Sequence, residues 1–171
     1  MPQVLEPPCA MDQEPAASDM VRQVITEVLE RMFFTEAEST ACEHAWLASA
    51  PSAWIPFEGS HRGELLLGIS LEAVGPIAAS FLGLDPLEVT DVQRGQVIQE
   101  LSNIVCGAML SHLWPESKLA LSSPKLLAWQ EWTSGGPLHR CFTIPEGMLA
   151  ISIRLLPPTQ TAEPEATPHA R

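Results

Sequence analysis

The chain has 171 residues, with 21 acidic and 9 basic side chains, so its formal net charge is −12. This length suits one domain with terminal extensions. Nucleic acids and anionic membrane surfaces attract clustered Lys and Arg, so the charge excludes both as partners. No stretch approaches the roughly 18 to 20 apolar residues needed to cross a bilayer.

The N-terminal part is predicted to be a disordered segment followed by a helix. Residues 1–17 combine prolines with acidic and small residues, and such a composition cannot bury enough apolar surface to offset the entropy of ordering. Ser18 or Asp19 is the predicted N-cap of a helix that ends near Phe34. Its apolar residues have the spacing of one helical face: Val21, Val24, Ile25, Val28, Leu29 and Met32.

Two strands and a second helix are predicted next. Residues 52–57 and 63–70 are rich in strand-forming side chains, and a turn-rich segment separates them. Ser70 can then cap a helix that continues through Leu82, with Gly83 at its C-terminal end.

The longest predicted helix begins at Thr90 or Asp91 and ends before Pro115. Three strand-like segments follow it: 119–131, 138–144 and 148–156. Short turns between consecutive strands indicate antiparallel pairing, and helices packed on one antiparallel sheet form an α+β domain. The last segment alternates apolar and other residues, which suits a half-buried strand. At an edge of the sheet, such a strand would pair two subunits into a homodimer.

The C-terminal residues and the cysteines complete the organisation. Residues 157–171 are rich in Pro, Thr, Ala and Glu and are predicted to be disordered, so the folded domain spans 18–156.

The N-terminus lacks the basic and apolar segments of a signal peptide. The four cysteines are scattered without C-x-x-C spacing, and a chain of this size does not need disulfides for stability. We therefore expect a reduced, cytoplasmic protein.

The long helix carries a polar stripe, formed by Gln96, Glu100, Asn103 and Gly107. On a helical projection these residues fall within roughly 60° of one another, and Glu100 and Asn103 are neighbours at i and i+3. Asn103 is the only asparagine in the chain. Asn and Gly each lose roughly 0.6 to 1 kcal/mol of helix propensity relative to Ala, a local conflict that is expected at functional sites. A solvated face, or close packing at Gly107, is the alternative explanation.

Another arc of the same helix is predicted to face the core. It is apolar and consists of Val97, Leu101, Ile104, Val105, Ala108 and Met109.

The segment IQELSNIVCGAML, residues 98–110, resembles the E-x-x-N-x-x-x-G helix of the CheC/CheX/FliY family of chemotaxis phosphatases. EVLERMFF resembles the first helix of CheX-like domains, and GELLLGISLEAVGPIAASFLG has their strand-then-helix order. The resemblance covers roughly 18–156, and its single E-x-x-N helix favours a CheX-like domain over the two-site CheC arrangement. Gln96 stands where the family pattern has Asp or Ser, and Pro124 lies slightly earlier than the family's proline.

The resemblance implies an activity and a role for each stripe residue. Family members hydrolyse the phosphoryl group on the aspartate of a CheY-like receiver, which itself supplies Mg²⁺ and a lysine, so no cofactor is expected on this chain. Asn103 would orient the attacking water, because a carboxamide both donates to and accepts from one water but is not basic near pH 7. Glu100 would pair with the receiver lysine, and Gly107 and Gln96 would allow close approach of the partner.

Two other functions remain open at this point. The departure at Gln96 is compatible with a non-catalytic receiver-binding or scaffold module of the same fold. An accidental E-x-x-N match would leave a structural or dimerisation protein without a receiver partner.

Metal binding is a weaker hypothesis. Cys42 with His44, or His139 with Cys141, offers ligands two residues apart, but zinc sites usually contain paired ligand motifs, so no metal site is predicted. Cys106 is expected to be a small packing residue, because no nearby basic side chain would lower its thiol pKa.

Overall fold

The structure is a computed structural model that describes residues 14–42, 44–128 and 138–157. Its helices are α1 (Glu14–Val28, continued by a π-helical turn at Leu29–Phe33), α2 (His44–Leu47), α3 (Leu71–Leu82) and α4 (Asp91–Leu113). Its strands are β1 (Glu38–Thr40), β2 (Pro51–Gly59), β3 (Gly63–Ile69), β4 (Leu119–Leu121), β5 (Lys125–Ala128), β6 (Leu138–Ile144) and β7 (Gly147–Leu155). None of the helices in these ranges combines the length and the apolar character needed to cross a membrane.

The strands of the described ranges form one antiparallel sheet in the order β1-β6-β7-β3-β2-β4, and β5 also pairs with β2. Helices α1, α3 and α4 pack on one face of this sheet and form the main core with it. The other face carries a smaller apolar cluster that includes Leu47 of α2 and Leu66 of β3. The predicted α+β fold, with helices on an antiparallel sheet, is therefore confirmed.

Strand β7 lies in the middle of the sheet, between β6 and β3. The prediction that this segment is half-buried is wrong, because each residue from Leu149 to Ile153 is buried. Side chains cover both faces of the sheet here, so alternation of residue type does not correspond to alternation of exposure. Strand β7 therefore cannot provide an edge for a homodimer, and the edges within the described ranges are β1 on one side and β4 with β5 on the other.

Helix α1 begins at Glu14 rather than at Ser18 or Asp19. Pro15 does not prevent this, because the first-turn N–H groups of a helix have no intrahelical partner and proline lacks only such a group. The remainder of the N-terminal segment predicted to be disordered, residues 1–13, lies outside the described residues. The same holds for 158–171.

The π-helical turn after α1 changes which apolar side chains are buried at its end. Met32 is 43% exposed, whereas Phe33 is buried and stacks on Phe81 of α3 at a centroid distance of 5.2 Å. A π-turn takes more residues than an α-turn, so the side chains that follow it no longer keep the α-helical phase. Met32 therefore does not stay on the helical face that its spacing predicts, and it is exposed.

The start of α4 is fixed by a capping box at Thr90, as the sequence predicts. The backbone N–H of Gln93 donates to Thr90 Oγ1 at 3.3 Å, and the backbone N–H of Thr90 donates to Gln93 Oε1 at 2.9 Å. This reciprocal pair satisfies two helix-terminal N–H groups. The predicted C-terminal Gly83 of α3 is also confirmed, with φ of +66°.

The predicted strand 119–131 is two short strands instead of one. Both β4 and β5 pair with β2, and residues 122–124 separate them. Pro124 explains the break, because proline cannot donate a hydrogen bond to a strand ladder. Residues 129–137 lie outside the described residues.

Cys42 and Cys141 form a disulfide, so the prediction of a fully reduced chain is wrong. The two residues are 99 positions apart in sequence, and only the pairing of β1 with β6, which sets Thr40 opposite Cys141, brings them together. Cys106 is the free cysteine of the described ranges. Burial raises the pKa of its thiol from 9.0 to about 12, which agrees with the predicted packing role.

A buried ion pair crosses the sheet between β3 and β7. Glu64 is 7% exposed and lies opposite Arg154 in the strand register. Arg154 Nε donates to Glu64 Oε1 at 2.7 Å, and a terminal guanidinium nitrogen donates to the same oxygen. Trp54 Nε1 donates to Oε2 at 2.6 Å. Both oxygens of the buried carboxylate therefore accept hydrogen bonds.

Candidate functional site

Helix α4 is anchored to the rest of the domain on three sides. It packs against α1, α3 and the sheet, and its buried residues cover more than half of its circumference. These residues are Val97, Ile98, Leu101, Ser102, Val105, Cys106, Met109, Leu110 and Leu113. Of the predicted core face, Ile104 and Ala108 are only partly buried and the other members are buried. A helix held in this way presents its remaining arc as a rigid surface.

The polar stripe lies on that remaining arc. Gln96, Glu100 and Asn103 are exposed and Gly107 is partly exposed, so the Asn103 amide faces solvent rather than the sheet. Within the described part of the chain, the side chains of Glu100 and Asn103 make no hydrogen bond or ion pair. Both side chains are therefore available to a partner molecule without breaking a contact of the described fold.

Gly107 has no steric role in the described fold. A Cβ atom placed on it would meet nothing within 4 Å, so close packing against a neighbouring element, one of the alternatives raised by the sequence, is not supported. Ser111 Oγ donates to the Gly107 carbonyl at 2.8 Å and leaves the other side of this backbone open. Because glycine has no side chain, the helix backbone one turn after Asn103 is open to close approach by a partner.

Two further residues adjoin the stripe. Gln99 Nε2 donates to the Pro124 carbonyl at 2.7 Å, which ties the loop between β4 and β5 to α4. Val92, one turn before Gln96, is 71% exposed and lies on the same side of the helix by its i, i−4 spacing. Sequence reasoning overlooked Val92, although its apolar side chain in line with polar residues was a detectable signal.

A second group of chemically active side chains lies elsewhere. Cys42, His139 and Cys141 place their sulfur and ring nitrogen atoms all within 4.8 Å of one another. The sequence suggested two separate pairs, Cys42 with His44 and His139 with Cys141. The structure joins Cys42 to the second pair, and the side chain of His44 lies outside the described residues.

Comparisons with known proteins give one family. A family model described as chemotaxis phosphatase CheX matches residues 51–145. The crystal structure of chemotaxis protein CheX from Vibrio vulnificus is similar with a TM-score of 0.65 and 16% identity, over 82% of this chain and 96% of that chain. CheX from Desulfovibrio desulfuricans gives 0.63 and 13%, over 82% and 99%.

A third similar structure contains a partner. The CheX–CheY–BeF3–Mg²⁺ complex from Borrelia burgdorferi matches with a TM-score of 0.60 and 14% identity, over 80% of this chain and 96% of that chain. No curated protein sequence matches this chain. At these identities, likeness to the solved structures establishes the fold alone.

Proposed function

Because the chain belongs to the chemotaxis phosphatase CheX family, we propose that it hydrolyses the aspartyl phosphate of a CheY-like receiver domain. The polar stripe of α4 is the proposed contact surface. The observation that carries this proposal is that Glu100 and Asn103 are adjacent, exposed and without partners in the described part of the chain. Polar side chains held on a rigid helix, yet unused by the fold, suit a site that acts on another protein.

The proposed partner is inferred from the complex that a structurally similar protein forms. The Borrelia burgdorferi CheX was solved with CheY, BeF3 and Mg²⁺, which supports a CheY-like receiver as the partner of this chain. We assign the Mg²⁺ to the receiver, and no cofactor to this chain. The cytoplasm is the proposed compartment. A homodimer through a sheet edge stays a prediction, for which β1 or the β4 and β5 side is available.

In the proposed reaction, water attacks phosphorus in line with the bond between phosphorus and the aspartate oxygen. That bond breaks, the aspartate regains its carboxylate, and inorganic phosphate leaves with the oxygen of the water. Such reactions depend mainly on positioning and on charge stabilisation. Asn103 would accept from and donate to the water, so that it lies on the line of attack. Asn103 would not act as a base.

Glu100 would dock the receiver through its lysine. Replacing Glu100 with Gln keeps the shape of the side chain but removes its charge, and a hydrogen bond to a charged group contributes roughly 1.5 to 3 kcal/mol. We therefore expect Glu100→Gln to weaken binding of a receiver loaded with BeF3 and Mg²⁺ by at least about tenfold. Calorimetry at two salt concentrations measures this loss and a reduced salt dependence.

The matched control is Glu116→Gln, which neutralises another exposed glutamate just beyond the end of α4. It should leave receiver affinity within about twofold of the original, since a charge off the contact surface is screened by salt. An equal loss in both variants would show that only the net charge matters and would remove Glu100 from the docking site.

Substitution of Gly107 by Ala should separate stability from activity. Ala exceeds Gly by about 1 kcal/mol in helix propensity, and no atom of the described fold obstructs the added methyl group. We expect Gly107→Ala to raise the free energy of unfolding in urea but to slow receiver dephosphorylation, because the methyl group lies between helix and partner.

Gly75→Ala is the control for this pair of effects. Gly75 is also within a helix, and a Cβ there would meet its nearest atom at 3.8 Å, an ordinary contact. Because Pro76 follows it and disfavours the helical conformation for a residue with a Cβ, this variant should gain little stability, and it should keep the original rate. Equal rates in the two variants would mean that the partner does not approach the helix at Gly107.

The proposed activity is tested directly with Mg²⁺ and a receiver phosphorylated by acetyl phosphate, following loss of the phosphoryl group. Faster decay in the presence of this chain supports the phosphatase. Tight binding without acceleration would identify a receiver-binding module, the alternative that Gln96 favours. If neither binding nor acceleration is found with a panel of receivers, the proposed function is overturned.

A further inference from the structure

The face of the sheet opposite α4 carries a compact set of soft metal ligands. His139 and Cys141 are two residues apart on β6, so their side chains lie on the same face of that strand. Cys42 follows β1, the neighbouring strand, and is bonded to Cys141. His139 Nε2 lies 4.0 Å from Cys141 Sγ. The three ligand atoms thus come from β6 and from the residue two positions after the neighbouring strand β1.

The surroundings of these three residues are apolar. Cys141 is buried and packs with Leu47, Leu66 and Ala150, while Trp46 and Trp54 lie against the same cluster. Cys42 and His139 are partly buried. An apolar shell around a metal site controls the access of water and the local dielectric. The remaining free thiol of the described ranges, Cys106, belongs to the main core on the other face, and burial raises its pKa to about 12, so it is not a ligand.

Chemical reduction converts the cluster into a different donor set. A dithiol reductant transfers two electrons and two protons, so the bond between the Cys42 and Cys141 sulfurs breaks, two thiols form, and the reductant becomes a disulfide. When a cation binds, the two thiols release their protons to the buffer and coordinate as thiolates. Two thiolates and an imidazole are the ligands that Zn²⁺ prefers, with bonds of about 2.3 Å to sulfur and about 2.0 Å to nitrogen.

We propose that the reduced chain binds one Zn²⁺ through Cys42, His139 and Cys141, with a fourth position occupied by water. The disulfide and the zinc-bound cluster are alternative states of one site, and each links the short edge strand β1 to β6. This inference is independent of the proposed phosphatase activity, because its residues lie on the other face of the sheet from the polar stripe.

The site is tested with Co²⁺ as a spectroscopic probe on the full chain. The protein is reduced with a dithiol, as in the step above, then freed of reductant without oxygen and titrated with Co²⁺. We expect one Co²⁺ per chain and a near-ultraviolet band from thiolate-to-cobalt charge transfer, which added Zn²⁺ abolishes. Protein that keeps its disulfide should show no such band, and this comparison requires no substitution.

Variants assign the ligands. Cys42→Ser removes one thiolate and should lower the intensity of the band by about half or more. His139→Gln leaves both sulfurs and should weaken Co²⁺ binding by at least about tenfold. Cys106→Ala removes a thiol that lies in the main core on the other face of the sheet and should change neither quantity. Circular dichroism of each variant reports whether it is folded.

Three results would overturn the proposal: no charge-transfer band in the reduced original protein, a band of equal intensity after Cys42→Ser, or unchanged Co²⁺ affinity after His139→Gln. Dephosphorylation of a receiver, measured on the same samples, distinguishes the two proposals. A protein that binds no metal at this cluster but still dephosphorylates the receiver would refute only the zinc proposal.

Discussion

The Asn103→Ala variant should fold and bind the receiver normally but lose the accelerated dephosphorylation. Asn103 is exposed and makes no hydrogen bond within the described part of the chain, so its removal breaks no contact there, and Ala gains about 0.6 kcal/mol in helix propensity. Misplacement of a reacting group by about 1 Å costs on the order of a hundredfold in rate. We therefore expect the acceleration to fall by at least about a hundredfold, measured as decay of the phosphorylated receiver.

His112→Ala is the matched control for Asn103. His112 is also exposed on α4 but projects about 180° away from Asn103 around the helix axis. It should leave the rate unchanged, and receiver binding should be equal in the two variants. If Asn103→Ala turns over the receiver as fast as the original protein does, Asn103 does not orient the water.

The Arg154→Met variant should lose about 3 kcal/mol of unfolding free energy. Its partner Glu64 is 7% exposed, and removing one member of a buried ion pair leaves an uncompensated charge that costs roughly 3 to 5 kcal/mol. We take the lower value because the Arg154 side chain is 32% exposed. Against a total stability of roughly 5 to 15 kcal/mol, such a loss shifts the urea midpoint clearly.

Two comparisons isolate the buried charge as the cause. Adding Glu64→Gln to Arg154→Met should recover part of the loss, because the neutral amide no longer leaves an unpaired charge and can still accept from Trp54. Arg22→Met removes an ion pair whose side chains are 56% and 79% exposed, and such pairs contribute about 0 to 1 kcal/mol. Equal losses in the Arg154 and Arg22 variants would contradict the argument.

Elements with local signals were predictable from the sequence. The boundaries of α3 and α4 coincide with Ser70, Gly83 and Thr90. Gly83 and Thr90 act within one turn of the chain, whereas Ser70 Oγ caps no helical N–H and instead accepts from the backbone N–H of Met148 on β7. The exposure of Glu100 and Asn103 followed from helical periodicity alone. Their roles came from a family resemblance, and they remain predictions.

Features that depend on distant partners were not predictable. The disulfide between Cys42 and Cys141 requires the pairing of β1 with β6. A strand of only three residues, such as β1, is too short for a local sequence pattern to predict it. The burial of β7 follows from its position in the sheet order rather than from its own sequence. Met32 was misplaced because one π-turn, which leaves no simple sequence signal, ends the α-helical phase.

Because α4 is anchored on three sides, its residues fall into two groups: those that hold the scaffold together and those that only a neighbouring molecule would contact. Substitutions on the anchored arc affect the whole scaffold, whereas an exchange at an outward position such as Gln96 alters only what the neighbouring molecule meets. Partner preference can therefore drift through single exchanges while the architecture stays constant. We therefore expect an exchange of the exposed Gln96 to change contact with a partner while the scaffold stays as it is.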